Sequence, residues 1–350
     1  MANYAPATGI QQIGTDFGHG ASQSDKLKMF LTMFSGEVLK AFDRTNVTQN
    51  RHTVRSIKHG KAASFPVLGR TTARYLEAGE SLDETRTQIK GTEKVITVDG
   101  LLVSDVLIAD IEDAMNHFDV RGEYSKQLGE SLAMSYDGAI FAEIAKAGNL
   151  ADDGTNENLT GLGKPVKMVI PTQKSKKGQD PEKEGKEILQ MLAKAQAQLN
   201  TQYVPQGERY FYCKPEVYAA ISAAFLPQTA NYASLADPST GTLKNIFGFE
   251  VIQVPHLTIG GSNKKGTQQH KFPDSSGTSA SGVYANIKVD TANVVGLFMH
   301  RSAIGTVKLR DMKIERARRP ELQSDMIIAK NSMGHGLLRP EALGFMIYTD

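Results

Sequence analysis

A single cysteine, Cys213, among 350 residues excludes an intramolecular disulfide framework and any multi-cysteine metal site. Its place between Tyr212 and Lys214, in an aromatic run, reads as a small buried hydrophobe and fits a reducing compartment. Long apolar runs are missing as well. None reaches the roughly 18 residues of a membrane-spanning helix, and the longest, such as Val294–Met299, read as buried strands. The start of the chain combines no basic residues, apolar run and small-residue cleavage site, so no secretory signal and no membrane partner are expected, and folding is expected in a cytoplasm. Charge of one sign is lacking too: 40 Lys and Arg against 38 Asp and Glu leave +2. That balance argues against a chain that is basic all over, as a general nucleic-acid binder is, while allowing local patches. A 40% hydrophobic content excludes global disorder, and 350 residues fit two compact units or one large domain.

Catalytic motifs are also scarce. Gly261-Ser262-Asn263-Lys264-Lys265-Gly266-Thr267 has the glycine spacing of a phosphate loop, but Thr267 stands where the lysine is required. The eight histidines include no His-Glu-x-x-His arrangement and no i, i+4 pair; His117 reads as a packed or capping residue. No Gly-x-Ser-x-Gly elbow exists, and Cys213 carries no nucleophile signature. Asp110, Glu112 and Asp113 read as a solvated helix face. Neither an enzyme, a cofactor nor a metal site is expected.

What is present is architecture. Residues 1–24 read as a mobile or extended arm, followed by a helix with Leu27, Phe30, Leu31, Phe34, Val38 and Phe42 on one stripe. A short helix with Ile108, Ile111, Met115 and Phe118 precedes a long one. There Val120, Tyr124, Leu128, Leu132, Tyr136, Ile140 and Ile144 recur every four residues, with Gly148 expected just past the end. At 1.5 Å per residue this is a rod of roughly 40 Å, a spine for other elements. Strand Val166–Ile170, a helix opened by Asp180-Pro181, strand Arg209–Cys213, helix Pro215–Leu226 and strand Phe249–Val254 form a mixed unit. Gly260–Gly282 reads as a surface loop. The tail is β-rich: Val294–Phe298, Gly305–Ile314 interrupted near Asp311, Met326–Ala329 and Phe345–Tyr348.

Two charged segments remain. Between Arg55 and Lys94 lie eight basic and five acidic residues, with apolar residues too scattered to bury a core of their own. Such a hairpin is either a disordered loop or an arm laid on another subunit, and Phe65-Pro66-Val67-Leu68 and Tyr75-Leu76 read as its contact points. Between Arg301 and Arg319, seven basic residues face two acids, a local +5. The segment is the solvated face of a strand with Val307, Leu309, Met312 and Ile314 inward, a dock for acidic sister subunits, or a contact to a phosphate backbone.

Phe65–Arg70, Glu93–Leu102, Asp110–His117, Gln127–Met134, Gly248–Val251, Val254–Thr258, Gly296–Ala303, Gly305–Asp311, Glu315–Arg319, Met333–Gly336 and Leu338–Ala342 together carry a resemblance. Long, ordered and collinear, they resemble the major capsid protein of short-tailed double-stranded-DNA phages of the autographivirus type. The resemblance implies an α+β fold, the tailed-phage capsid fold of the Hong Kong 97 type. Its parts would be an arm with helix (1–48), an extended hairpin loop (49–107), a peripheral domain with the spine helix (108–170), an axial domain (171–293) and returning peripheral strands (294–350). It further implies hexamers and pentamers closing into an icosahedral virion shell around double-stranded DNA. A scaffolding protein would guide assembly in the host bacterial cytoplasm, and a portal would occupy one vertex. Inter-subunit contacts are expected at Phe65, Leu68, Arg70, Arg74, Glu77, Arg86, Lys94, Arg316, Arg318 and Arg319, with the last three serving cohesion of the particle rather than DNA binding. Two other classes are a cellular nanocompartment shell of the same fold and a nucleotide-using enzyme built on the Gly260–Thr267 loop.

Overall fold

The computed structural model describes residues 37–42, 45–69, 71, 73–75, 78–79, 89, 91–98, 100–109, 120–149, 164–225, 236–237, 242–243, 245–257 and 294–349. The arm at 1–24, the first part of the following helix, the 110–119 stretch with His117 and the Gly261–Thr267 loop lie outside these residues. The chain divides into two compact units. One comprises Met1–Asn46, Leu101–Met134 and Asp311–Asn331; the other comprises Val47–Gly100, Ser135–Arg310 and Ser332–Asp350.

In the first unit, β4 (Leu102–Ala109) pairs antiparallel with the first part of β12 (Ser324–Leu337), from Ser324 opposite Ala109 to Asn331 opposite Leu102. Ile108 therefore sits in a strand, not in the helix its spacing suggested: alternation along Leu102–Ala109 prevails over a four-residue coincidence. The long helix α1 (Val120–Asn149) begins here and buries Leu128 and Leu132 together with Val38 and Phe42. Gly129 has a steric reason to be glycine. A Cβ there would stand 2.5 Å from the Val38 carbonyl and 2.8 Å from the Ala41 Cβ, so the helical segment at 37–42 approaches as closely as backbone allows.

The second unit holds a five-stranded mixed sheet in the order β5-β13-β10-β6-β9. Its strands are β5 (Val166–Gln173), β6 (Arg209–Cys213), β9 (Phe249–Gln253), β10 (Val294–His300) and β13 (Leu343–Thr349). Central β10 is antiparallel to both neighbours, and all seven of its residues are buried. Each large apolar side chain removed from water there contributes about 1.5–3 kcal/mol. Helices α2 (Pro181–Thr201) and α3 (Pro215–Phe225) accompany this sheet. Helix α2 starts where the sequence places it: Asp180 accepts from the Lys183 N–H at 3.2 Å, with Pro181 in the first turn. Within it, a Cβ on Gly185 would stand 2.1 Å from the Ala220 carbonyl of α3. The short strands β7 (Ala236–Asp237) and β8 (Thr242–Leu243) pair with each other.

The same unit carries the hairpin. Strands β2 (Ala62–Leu68) and β3 (Gly91–Thr97) pair antiparallel, Ala62 opposite Thr97 and Leu68 opposite Gly91. Ala63, Phe65 and Ile96 form a core with Val307 and Leu338, so the hairpin base has a core after all, supplied by distant strands. Gly334 lies against it so tightly that a Cβ would come 2.0 Å from the Thr97 carbonyl. Strand β1 (Thr53–Ser56) pairs parallel with the start of β11 (Ile304–Arg319). The interruption expected near Asp311 does not occur, because one strand runs through it. Gly148 lies inside α1 rather than beyond its end. The spine stripe holds: Leu128, Leu132, Tyr136, Ile140 and Ile144 are buried, and from 135 to 145 every residue is.

Candidate assembly interfaces

Among the described residues no group of three His, Cys, Asp or Glu side chains could hold a metal, and no helix is long and apolar enough to cross a membrane. Cys213 is fully buried in β6, and burial pushes its thiol up to about 12, the opposite of an activated nucleophile.

The most elaborate polar site is a clamp in the second unit. The Asp137 carboxylate, fully buried on α1, accepts from the Val47 N–H (2.9 Å), the Thr48 N–H (3.0 Å), the Thr48 hydroxyl (2.6 Å) and His256 Nε2 (2.9 Å). Beside it, His52 Nδ1 donates to the Thr48 carbonyl (2.9 Å), so its Nε2 accepts from the Tyr136 hydroxyl (2.9 Å). Burial holds His52 below its ordinary 6.5 and raises the Tyr136 phenol far above its ordinary value. His335 meets the Tyr136 ring edge-on at 5.1 Å and shares a hydrogen bond with Thr306 (2.9 Å). Arg51 pairs with Glu250 at 2.9 Å and lies over the Tyr210 ring. Asp137 and Tyr136 are buried at its centre, while Arg51 and Glu250 lie at its partly exposed rim. These bonds anchor the 47–52 segment on α1. Periodicity alone passes over it; the available signal was an acid, Asp137, inside an otherwise apolar helix stretch.

The hairpin offers surface instead. Leu68 is 69% exposed, Val95 61%, Ile89 56%, and Tyr75 fully so. Phe65, expected as a contact point, is buried within its own chain and so is not a surface group. Arg74 is exposed and Lys94 half-buried, whereas Arg70, Glu77 and Arg86 lie outside the described residues.

In the first unit, the basic end of β11 is less bare than its sequence suggests. Arg316 hydrogen-bonds Asp325 of β12, and Arg318 pairs with the same carboxylate at 3.6 Å. Glu315 accepts from Lys330 and lies 3.1 Å from Lys313, and these two lysines, Lys330 first, hold its carboxyl below the usual range. Arg319 is exposed beside the short 3-10 turn Pro320–Leu322. The structure thus gathers Arg316 and Arg318 on one acid from the next strand, a partner that sequence order hides.

Comparison with known proteins gives a consistent set. Residues 64–346 match the family described as "Gp10A-like: Major capsid protein". The chain is 56% identical to the major capsid protein of Escherichia phage T7, with 98% of this chain and 99% of the relative covered. It is 55% identical to the major capsid protein of Enterobacteria phage T3, with 97% of each covered. The capsid structure of cyanophage P-SCSP1u superposes with a TM-score of 0.68 at 26% identity, over 87% of this chain and 88% of the other.

Proposed function

This chain belongs to the Gp10A-like family of major capsid proteins, and from that premise we propose how its surfaces build a shell. Its fold is the tailed-phage capsid fold of the Hong Kong 97 type and its role is structural: a subunit of an icosahedral phage capsid, with no turnover chemistry. The nanocompartment and nucleotide-enzyme readings give way to near-full-length identity with phage capsid proteins.

In the proposed assembly the chain forms hexamers and pentamers that enclose double-stranded DNA, guided by a scaffolding protein in the host cytoplasm and closed around a portal at one vertex. The proposed division is arm and helix (1–48), hairpin loop (49–107), peripheral domain (108–170), axial domain (171–293) and return strands (294–350). The observation that carries the contact assignment is the hairpin's division of labour. Its base is buried in Ala63, Phe65, Ile96, Val307 and Leu338, while Leu68, Tyr75, Ile89 and Val95 remain in water. Exposed apolar groups on a two-stranded ribbon support a strap that finds its cover on a neighbour. Leu68, Arg70, Arg74, Glu77, Arg86 and Lys94 would make the strap's contacts. Arg316, Arg318 and Arg319 would hold adjacent capsomers together, a reading supported by the exposure of Arg318 and Arg319, although Arg316 and Arg318 already share one acid of their own chain, Asp325.

Replacing Arg70 and Arg86 together by Glu tests the strap: circular dichroism should stay unchanged while the yield of closed shells falls. A normal yield would remove the strap. For the basic segment, Arg316, Arg318 and Arg319 become Gln, and shell assembly without DNA is compared with salt-dependent DNA binding. Cohesion predicts impaired assembly; unimpaired assembly with lost DNA affinity would overturn it.

A further inference from the structure

Two loops enter the five-stranded sheet side by side. One joins α2 to β6 and the other leads into β9, and the ladder sets their ends level, Arg209 opposite Phe249. The loops also touch: a Cβ on Gly248 would stand 3.7 Å from Gln196 Nε2 and 3.9 Å from the Gln206 carbonyl.

The first loop opens with the closing turn of α2. The Tyr203 N–H donates to the Asn200 carbonyl at 2.9 Å and the Val204 N–H to the Leu199 carbonyl at 3.0 Å, the paired bonds of a Schellman cap. In that cap the residue at Tyr203 is left-handed, here with φ +57°, and glycine is its usual occupant. The second loop is a two-residue hairpin in which Ile246 and Phe249 exchange both backbone hydrogen bonds at 2.9 Å. Phe247 at φ +49° and Gly248 at φ +75° span it, as in a type I′ turn, whose first position favours asparagine or glycine. In both loops an aromatic residue stands where the backbone calls for a small one. Neither is buried in return: Tyr203 is 77% exposed and Phe247 43%. Local strain of this kind persists where the side chain serves something beyond the fold of its own chain.

The surroundings select the partner. From Gln196 to Arg209 and from Asn245 to Phe249 the charged residues are Glu208 and Arg209 alone. Glu208 pairs with Arg301 at 2.7 Å, and Arg209 is buried. The exposed surface is therefore aromatic and amide, with Gln206 in water beside the two rings' loops. A phosphate backbone or an acidic protein would call for cations here. Uncharged tyrosine and phenylalanine are anchors for another protein surface, and in a shell of identical subunits that surface is another copy's.

We propose that Tyr203 and Phe247 are aromatic anchors that bury against a second copy of this chain, at the end of the sheet where β6 and β9 begin. The inference rests on the capsid reading above and adds to it a contact made by the 202–208 and 246–248 loops, separate from the hairpin. The strain at both positions is what holds the rings out from their own subunit.

The experiment labels the full-length chain with hydroxyl radicals, as free subunits and as closed shells formed with the proposed scaffolding protein. Tyr203 and Phe247 should be modified in subunits and protected in shells. In parallel, Tyr203→Gly and Phe247→Asn are combined in one variant. Because both replacements suit a left-handed backbone, the free subunit should unfold at or above the wild-type temperature. Its yield of closed particles should nevertheless fall by about tenfold or more, as expected when buried aromatic anchors are removed. Equal labelling in subunits and shells overturns the contact, and so does normal assembly by the variant. A lower unfolding temperature overturns it as well, since the rings would then be holding their own subunit together. Normal shells that fail to retain another virion protein would give the loops to that partner instead. A wild-type chain that forms no shells overturns the capsid reading and the contact with it; wild-type shells in which both rings stay labelled overturn the contact alone.

Discussion

Asp137 binds Thr48 twice: the same carboxylate oxygen accepts the Thr48 backbone N–H at 3.0 Å and its hydroxyl at 2.6 Å. The other oxygen takes the Val47 N–H and His256, so one buried acid satisfies four donors. Asp137→Ala removes the buried acceptor that these four donors share. The expected loss is about 3 kcal/mol or more, since donors to a charged acceptor are worth roughly 1.5–3 kcal/mol each when made and cost about as much when orphaned. Asp137→Asn keeps one acceptor and should lose less. Thermal unfolding of the soluble subunit checks this; an alanine variant with the wild-type midpoint would show that the clamp carries no stability.

Stability should also depend on pH through His52. Burial lowers its affinity for a proton, outweighing the Thr48 carbonyl and the Asp137 charge, which act the other way; Arg301 adds to the lowering. The Tyr136 hydroxyl faces its other nitrogen. The folded chain thus takes up this proton only below the ordinary 6.5 of the unfolded chain. Stability is full above 6.5 and declines as pH falls below it, by at most about 1.4 kcal/mol per pH unit per group. His300 is lowered by burial as well, with Arg209 and Arg339 adding to it and Glu208 opposing it, and it contributes in the same direction. Denaturant midpoints measured from about pH 7.5 to about pH 5.5 should fall, and His52→Gln should flatten part of the slope. Midpoints that rise toward acid would contradict the assignment.

Gly185→Ala sets two effects against each other. Alanine gains about 1 kcal/mol of helix propensity, but its Cβ would meet the Ala220 carbonyl at 2.1 Å and the Ala224 Cβ at 2.8 Å. Backbone of a neighbouring helix cannot swing away as a side-chain tip can, and overpacking costs about 1–3 kcal/mol or more. Net destabilisation of about 1–2 kcal/mol is expected. A more stable variant would mean that α2 and α3 separate freely.

Cys213 should be inert in the folded chain. It is fully buried and its thiol is pushed up to about 12, so almost no thiolate exists at neutral pH. A thiol reagent should label it only after denaturation; rapid labelling of native subunits would place β6 at a surface.

Wherever the pattern was local, the fold was legible in the sequence. The four-residue recurrence of Leu128, Leu132, Tyr136, Ile140 and Ile144, the Asp180-Pro181 start of α2 and the apolar run of β10 each state their own element. What escaped depends on partners far along the chain. Phe65 and Ile96 look too sparse for a core until Val307 and Leu338 come beneath them. Arg316 and Arg318 look like bare charge until Asp325 faces them from β12. Ile108 fell into a helical spacing by chance, and only its pairing with Asp325 across the sheet shows the strand. The Asp137 clamp gathers three segments that no periodicity links.

Electron microscopy of the chain produced with the proposed scaffolding protein tests the central claim most directly. A capsid subunit of this family should yield closed icosahedral shells built of six- and five-fold capsomers, with the 60–98 hairpin crossing onto a neighbouring subunit. Discrete small oligomers under the same conditions, or shells in which the hairpin stays on its own subunit, would contradict the account.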